Sequence, residues 1–359
     1  MTRILRLDGL RAIAFLTIFV HHAFGIPHLW AGVDIFFVLS GFLITSILMD
    51  GRGKQAAWGR FYERRALRIL PPYGAFLLLA TFFLHLHWDH KGLWYAFFGM
   101  NFAEVLGVGV PGLGILWSLA VEEQFYLFWP VVALRFSPRI VSRWAIVLIV
   151  LAPIFRGVAT PFLNDHAAIY YLMPFRMDLL ASGALLAVLW QEHGELVKWR
   201  RWGLALMAAG LSLIVLCTLV IPPFHAEANT IRFNTLGYSL IACVATGLLA
   251  FTLGSAEGWY AKLMTWKPVR WIGLISYTSY LIHAGVLALV VPSSSMIVNR
   301  LLAFAVVIAY ASLSWNLLEK PILRLRPSAW LIARRSKVQT TRQAHFENVL
   351  QAAETPKYN

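Results

Sequence analysis

Charged side chains are scarce in this chain of 359 residues, where Asp, Glu, Lys and Arg together make up 13%, about half of the share in soluble proteins. Hydrophobic residues make up 59%, and the mean hydropathy is +0.66. These values exclude an ordinary soluble domain. Cysteine is almost absent. Cys217 and Cys243 both fall in apolar segments, so we expect small buried side chains and neither a disulfide framework nor a cysteine metal site.

Acidic residues are also few, with 17 Asp and Glu against 31 Lys and Arg, giving a net charge of +14. Such an excess can indicate nucleic-acid binding, but the positions of the basic residues indicate a membrane. Placing the N-terminus in the cytoplasm puts 26 of the 31 in the inner connections and the tail, and five outside. This asymmetry follows the positive-inside rule and predicts a membrane protein with no nucleic-acid partner.

Ten apolar segments are each near the length that a helix needs to cross a bilayer, roughly 20 residues. They lie at residues 8–24, 32–50, 71–88, 115–134, 140–156, 172–190, 203–221, 236–253, 272–291 and 301–318. We predict an all-α, polytopic membrane helical bundle of about ten transmembrane helices with both termini cytoplasmic. The predicted domains are a membrane domain at 1–320 and a basic cytoplasmic tail at 321–359. We expect no metal, because the loop histidines at 85, 87 and 90 lack ordered partners.

The first segment contains Arg11 and His22, and ionisable side chains in a membrane segment are costly and usually functional. Eleven residues at about 100° each place the two on one helix face, about 16 Å apart along the axis. One hypothesis is a cation near one membrane surface aligned with a titratable imidazole deeper inside. The alternative is that Arg11 anchors the segment at the surface and His22 is a polar residue near the far interface.

Two further residues could assist that imidazole. Asp34 opens the second segment near the predicted outer end, where a carboxylate would orient His22 as a general base. Alternatively, Asp34 caps its helix. His283 lies in the ninth segment, where it is either a further titratable group or a hydrogen-bonded packing residue.

Arg64, Arg65 and Arg68 are spaced so that a helix would cluster their guanidinium groups. Arginine forks match phosphate geometry, so this cluster predicts a binding site for the phosphates of a nucleotide-bearing donor. The alternative is an anchor to anionic lipid head groups.

Two adjacent carboxylates, Glu122 and Glu123, lie in the fourth segment, where both are expensive in lipid. We expect them to face protein or water and to meet Arg176 and Asp178 at the start of the sixth segment. The alternative is an interhelical ion pair that only holds the bundle together.

Taken in order, six stretches resemble the acyltransferase-3 family of integral membrane acyltransferases over about residues 5–320. They are Leu7–Arg11 with ten residues before His22, Gly32–Thr45, Arg64–Pro71, Trp117–Leu127, Phe175–Asp178 and Ser276–His283. The resemblance implies transfer of an acyl group, commonly acetyl, from cytoplasmic acetyl-CoA to a hydroxyl of a sugar or other acceptor.

The roles that we assign follow from this resemblance together with the residue pattern. The catalytic candidates are His22, Asp34 and Glu123; the donor-binding candidates are Arg11, Arg64, Arg65 and Arg68; and the substrate-binding or structural candidates are Glu122, Arg176, Asp178, Tyr280 and His283. His22 would either deprotonate the acceptor hydroxyl or accept the acyl group transiently. His21 stands where relatives often have tyrosine, so the choice of imidazole stays open.

The resemblance also implies partners and a location. We expect a carbohydrate acceptor, free or lipid-linked, in the bacterial cytoplasmic (inner) membrane. Relatives often append an extracytoplasmic hydrolase-like domain. We expect none here, so the protein either acts directly or passes the group to a separate relay protein. The alternatives are an acyltransferase for a small molecule such as a macrolide or for a lipid, and a transporter, for which no inverted repeat is seen.

Overall fold

The computed structural model describes residues 4–194, 197–289 and 295–325, and its long elements are all helices. Ten helices form the body of the protein: α1 (Arg6–Phe24), α2 (Gly32–Asp50), α3 (Ala57–Phe83), α4 (Trp117–Arg135), α5 (Pro138–Ala159), α6 (Met173–His193), α7 (Val197–Val220), α8 (Tyr238–Gly254), α9 (Lys267–Leu289) and α10 (Met296–Ser314). Shorter helices lie in the connections, at Gly92–Ala96, Met100–Val105, Ala167–Tyr171, Gly258–Thr265 and Lys320–Arg324.

The prediction of an all-α polytopic membrane bundle is confirmed. Within the described ranges, nine helices are long and apolar enough to cross a membrane. The fourth predicted segment, 115–134, forms α4 and is the one predicted segment not among these nine; its apolar sequence is interrupted by Glu122 and Glu123. The prediction that both termini are cytoplasmic stays a prediction, and residues 326–359 of the predicted tail lie outside the described residues.

The predicted start of the third segment, at residue 71, is wrong. Helix α3 begins at Ala57 and continues through Pro71 and Pro72. Proline in a helix interior removes a backbone hydrogen bond and disfavours the preceding turn, but α3 continues through both prolines, so the arginine-rich stretch and the apolar stretch form one element. The arginines at 64, 65 and 68 therefore project from a membrane helix rather than from a loop.

Helices α1, α2 and α6 form the centre of the bundle. The hydrophobic windows of the spans that contain α2 and α6 are 72% and 61% buried, whereas that of α7 is only 11% buried. The large apolar side chains of α7 are correspondingly exposed, as a lipid-facing helix requires. Functional polar groups are thus expected on the central helices, where protein rather than lipid surrounds them.

Helices α2 and α6 approach each other closely because each places a glycine at the contact. A Cβ on Gly41 would overlap the carbonyl of Leu180, and a Cβ on Gly183 would overlap that of Val38. Association of helices in lipid depends on close packing rather than on the hydrophobic effect. These two glycines therefore fix the distance between the two central helices.

We predict that Gly183→Ala destabilises the protein by about 1–3 kcal/mol, because the added methyl group has to push α2 away from α6. Gly74→Ala in α3 is the matched control, since a Cβ there meets nothing within 4 Å. The control variant should be neutral or slightly more stable because alanine favours helix. Thermal unfolding in detergent measures both variants, and equal midpoints would contradict the prediction.

Candidate active site

Two imidazoles on neighbouring helices form a pair at the end of α1. The rings of His22 in α1 and His283 in α9 lie 5.0 Å apart, and Nδ1 of His22 is 3.2 Å from Nε2 of His283. His283 is completely buried, whereas His22 is exposed. The hypothesis of an imidazole deep inside at position 22 is therefore wrong, since the buried imidazole is His283. Sequence analysis identified His283 as a polar residue of the ninth segment but did not predict its contact with His22.

Backbone carbonyls determine which ring nitrogen carries hydrogen in each imidazole. Nδ1 of His283 lies 2.7 Å from the carbonyl oxygen of Tyr280, and Nδ1 of His22 lies 3.0 Å from that of Ile18. A carbonyl only accepts, so both Nδ1 atoms donate. Nε2 of the neutral His283 then shares the Nδ1–H of His22 with the carbonyl oxygen of Ile18, which leaves Nε2 of His22 with a free lone pair. No described residue hydrogen-bonds to that atom. The pair thus presents one basic nitrogen at an exposed position.

His21 has the same local geometry but no buried partner. Its Nδ1 donates to the carbonyl oxygen of Ile26 over 2.9 Å, and its ring lies 5.0 Å from that of His22. His21 lines a cavity of about 450 Å³ at this end of the bundle, between the α1–α2 connection and helices α7 and α8. Because His22 contacts the buried imidazole of His283 and His21 does not, we favour His22 as the reactive imidazole.

The wall of this outer cavity is aromatic and polar near the end of the bundle and apolar along α7. Trp30, His28 and Glu227 contribute to the first part, and Leu211 and Val215 to the second. A hydrogen bond from its own backbone amide, assisted by His225, lowers the pKa of Glu227 below its usual range. An ionised carboxylate and an aromatic face suit a hydroxyl-rich ligand.

Arg11 lies on the inner side of the histidine pair, in a small cavity of about 70 Å³. Ser40, Glu122 and Tyr280 also line this cavity. The ring of Tyr280 lies 5.4 Å from that of His283, which connects the cavity to the imidazole pair. Nε of Arg11 is buried without a hydrogen-bond partner, and the guanidinium makes no ion pair within the described part of the chain. Arg11 is therefore available to a ligand.

Arg65 and Arg68 are already paired with carboxylates. Arg65 donates to Glu123 over 2.8 Å and lies 4.0 Å from Glu122, and Arg68 donates to Glu319 over 3.1 Å. The expectation that the two adjacent glutamates meet Arg176 and Asp178 is wrong. Their partner is on α3, because α4 crosses α3 at the depth of Arg65.

Glu319, which directly follows the last predicted segment, was not among the candidate residues from the sequence. It is completely buried in a π-helical turn, Trp315–Glu319, that follows α10. Besides Arg68, it accepts from the hydroxyl of Thr278 over 2.7 Å. The signal available in the sequence was an acidic residue at the end of the last apolar segment. The direction of its side chain depends on the extra residue of the π turn, which turns it inward.

Asp34 does not reach the histidines. It pairs with Arg176 of α6, and both side chains are 1% exposed. No side-chain hydrogen bond caps the start of α2, so the capping alternative is wrong as well. The guanidinium of Arg176 also lies 4.7 Å from the ring centre of Tyr238. Asp34 therefore connects α2 to α6, and this contact gives it no direct part in orienting His22.

A second buried pair ties α5 to α6. Arg156, which the topology prediction placed among the outer basic residues, is completely buried and donates to Asp178 over 2.8 Å. It also donates to the carbonyl oxygen of Asn234 over 2.6 Å, in a second π-helical turn, Phe233–Gly237. Among the described residues, no group of three or more His, Cys, Asp and Glu side chains could hold a metal ion.

Comparison with known proteins gives a consistent result. A family model described as an acyltransferase domain matches residues 4–318. The peptidoglycan O-acetyltransferase OatA of Listeria monocytogenes is 29% identical, over 88% of this chain and 55% of the relative. The putative peptidoglycan O-acetyltransferase YrhL of Bacillus subtilis is 30% identical, over 88% and 54%. The chain thus spans about half the length of these relatives. No solved structure matches it.

We predict that Asp34→Leu and Arg176→Met each cost about 3–5 kcal/mol of stability, because each leaves one buried charge unpaired. The double variant should recover most of the loss, since it removes both charges together. Thermal unfolding of the purified proteins in detergent measures the three variants. A double variant as unstable as the sum of the two single ones would show that the pair is not coupled.

Proposed function

The chain belongs to the acyltransferase-3 family, and from that membership we propose that it O-acylates a carbohydrate, with cytoplasmic acyl-CoA as the donor and acetyl as the transferred group. The matched residues, 4–318, include every helix of the membrane bundle. Both relatives named above are peptidoglycan O-acetyltransferases by their printed names, the second of them putative. A bacterial inner-membrane location belongs to the same proposal.

The observation that carries the proposal is the free Nε2 lone pair of His22. In direct transfer, this nitrogen takes the proton of the acceptor hydroxyl while the oxygen attacks the thioester carbonyl. The carbon–sulfur bond breaks, and the CoA thiolate takes the proton from the imidazolium. In a two-step route, the same nitrogen attacks the thioester and expels the CoA thiolate; the acceptor oxygen then takes the acyl group, and its hydroxyl proton ends on the thiolate. Both routes yield an ester and free CoA.

The two substrates would approach His22 from opposite ends. Arg11 lies about 16 Å further along α1 by helix rise, beside the small inner cavity, where its unpaired Nε can donate to the acyl-donor arm. The outer cavity beside His21 provides Trp30 and Glu227 for a sugar ring and its hydroxyls. The acceptor is therefore a carbohydrate that enters from the outer side.

We predict that His22→Gln lowers transfer by about 10²–10⁴-fold, the usual contribution of a general base. The measurement is transfer from labelled acetyl-CoA to glycan in proteoliposomes. His90→Gln, an exposed histidine in the outer loop, is the matched control and should keep wild-type activity. A His22→Gln protein that inserts normally and transfers at the wild-type rate would contradict the assignment. If the labelled acetyl group becomes attached to the protein when no acceptor is present, the two-step route is the one used.

We predict that His283 acts as a positioning residue. His283→Leu removes one of the two acceptors for Nδ1–H of His22 and leaves only the carbonyl oxygen of Ile18 to orient the ring, so kcat should fall at least about tenfold while KM for the donor stays unchanged. His283→Gln places an amide oxygen that can accept the same hydrogen and should restore most of kcat. Steady-state kinetics of both variants give the result. Equal losses in the two variants, or a change in KM alone, would indicate a packing role instead.

A further inference from the structure

The donor-binding candidates on α3 are largely neutralised. Arg65 and Arg68 face the carboxylates of Glu122, Glu123 and Glu319, so two guanidinium groups meet three acidic groups. Arg65 also lies 3.6 Å from the ring centre of Tyr126, which holds it against α4. The phosphates of CoA carry several negative charges and require cations that are not already paired. Arg65 and Arg68 do not supply such cations.

Unpaired cations lie at the inner end of the bundle, around a cavity of about 390 Å³ between the end of α2 and the start of α3. Lys54, Arg60 and Arg64 line it, together with Asp50. None of the three cations forms an ion pair within residues 4–194, 197–289 and 295–325. The carboxylate of Asp50 accepts from Gln191 over 3.2 Å. The cavity therefore has an excess of positive charge.

The same cavity has apolar and aromatic lining residues, namely Ile47, Leu48, Phe61 and Leu134. A nucleotide combines a flat ring system with charged phosphates, and this cavity offers an apolar surface and three cations for the two parts. Arg64 immediately precedes Arg65 on α3, so the cavity adjoins the paired arginines.

We propose that this cavity binds the nucleotide end of the acyl donor, with Lys54, Arg60 and Arg64 contacting its phosphates. Arg65 and Arg68 then shape the bundle beside the donor arm instead of binding the phosphates. This inference rests on the proposed function, because it identifies the donor site of the same reaction. Anionic lipid head groups present the same phosphate chemistry and are the competing source.

The test uses the full-length protein reconstituted in vesicles of neutral phosphatidylcholine. Lys54→Glu/Arg60→Glu reverses two charges at the cavity, and Arg139→Glu/Arg143→Glu on α5 is the matched control, since those exposed arginines do not line the cavity. Binding of CoA and of pantetheine is measured directly, and KM is measured for acetyl-CoA and acetyl-pantetheine. The cavity variant should weaken CoA binding and raise KM for acetyl-CoA by at least about tenfold, leaving the phosphate-free compounds unaffected.

Three outcomes would contradict one or both proposals. Unchanged CoA binding in the cavity variant, or a wild-type protein that binds no CoA, would overturn the donor site. If the cavity variant changes KM only in vesicles that contain anionic phospholipid, and equally for acetyl-CoA and acetyl-pantetheine, the cations bind lipid. That result would also overturn the donor site. CoA binding that depends on the cavity without any acyl transfer would keep the site but refute the proposed reaction.

Discussion

A charge inside a bilayer has to be paired, and this constraint determines how the helices of this protein assemble. Arg176 binds Asp34, Arg156 binds Asp178 and Arg65 binds Glu123, in each case across two helices. In lipid, apolar side chains give little preference for one helix neighbour over another. An unpaired buried charge, by contrast, costs several kcal/mol. The ion pairs therefore specify which helices meet, and the glycines between α2 and α6 specify how closely.

The same constraint separates structural from reactive polar groups. The paired arginines and acids have partners on neighbouring helices. They therefore hold the bundle in place, and each pair has little net charge. His22 and Arg11 differ, because Nε2 of His22 has no partner among the described residues and Arg11 forms no ion pair with any of them. His22 is also exposed, as a group that reacts with a second substrate has to be. We therefore assign the chemistry to the imidazole with a free basic nitrogen and to the cation that lacks an ionic partner among the described residues.

The sequence predicted the helices and the shared face of Arg11 and His22 because both follow from local periodicity. It did not predict the partners of the charges. Asp34 was expected to meet His22, its neighbour across a short connection, but it meets Arg176, which is 142 positions away. Glu319 was not singled out, because its inward direction depends on a π-helical turn that composition does not reveal. Which charges pair across helices depends on how the helices pack, and that packing depends on all the segments together rather than on any one of them.

The three cavities lie in order along α2, from Trp30 and Ala31 through Val33–Ser40 to Ile47–Asp50. This helix is about 28 Å long by its rise. The outer and inner cavities hold about 450 and 390 Å³, but the middle one holds about 70 Å³, room for roughly two waters. The proposed route therefore requires the space between Arg11 and Tyr280 to widen when the donor arm enters. Binding of the donor nucleotide at the inner end can supply that energy, which would make the thioester reach His22 only when the correct donor is bound.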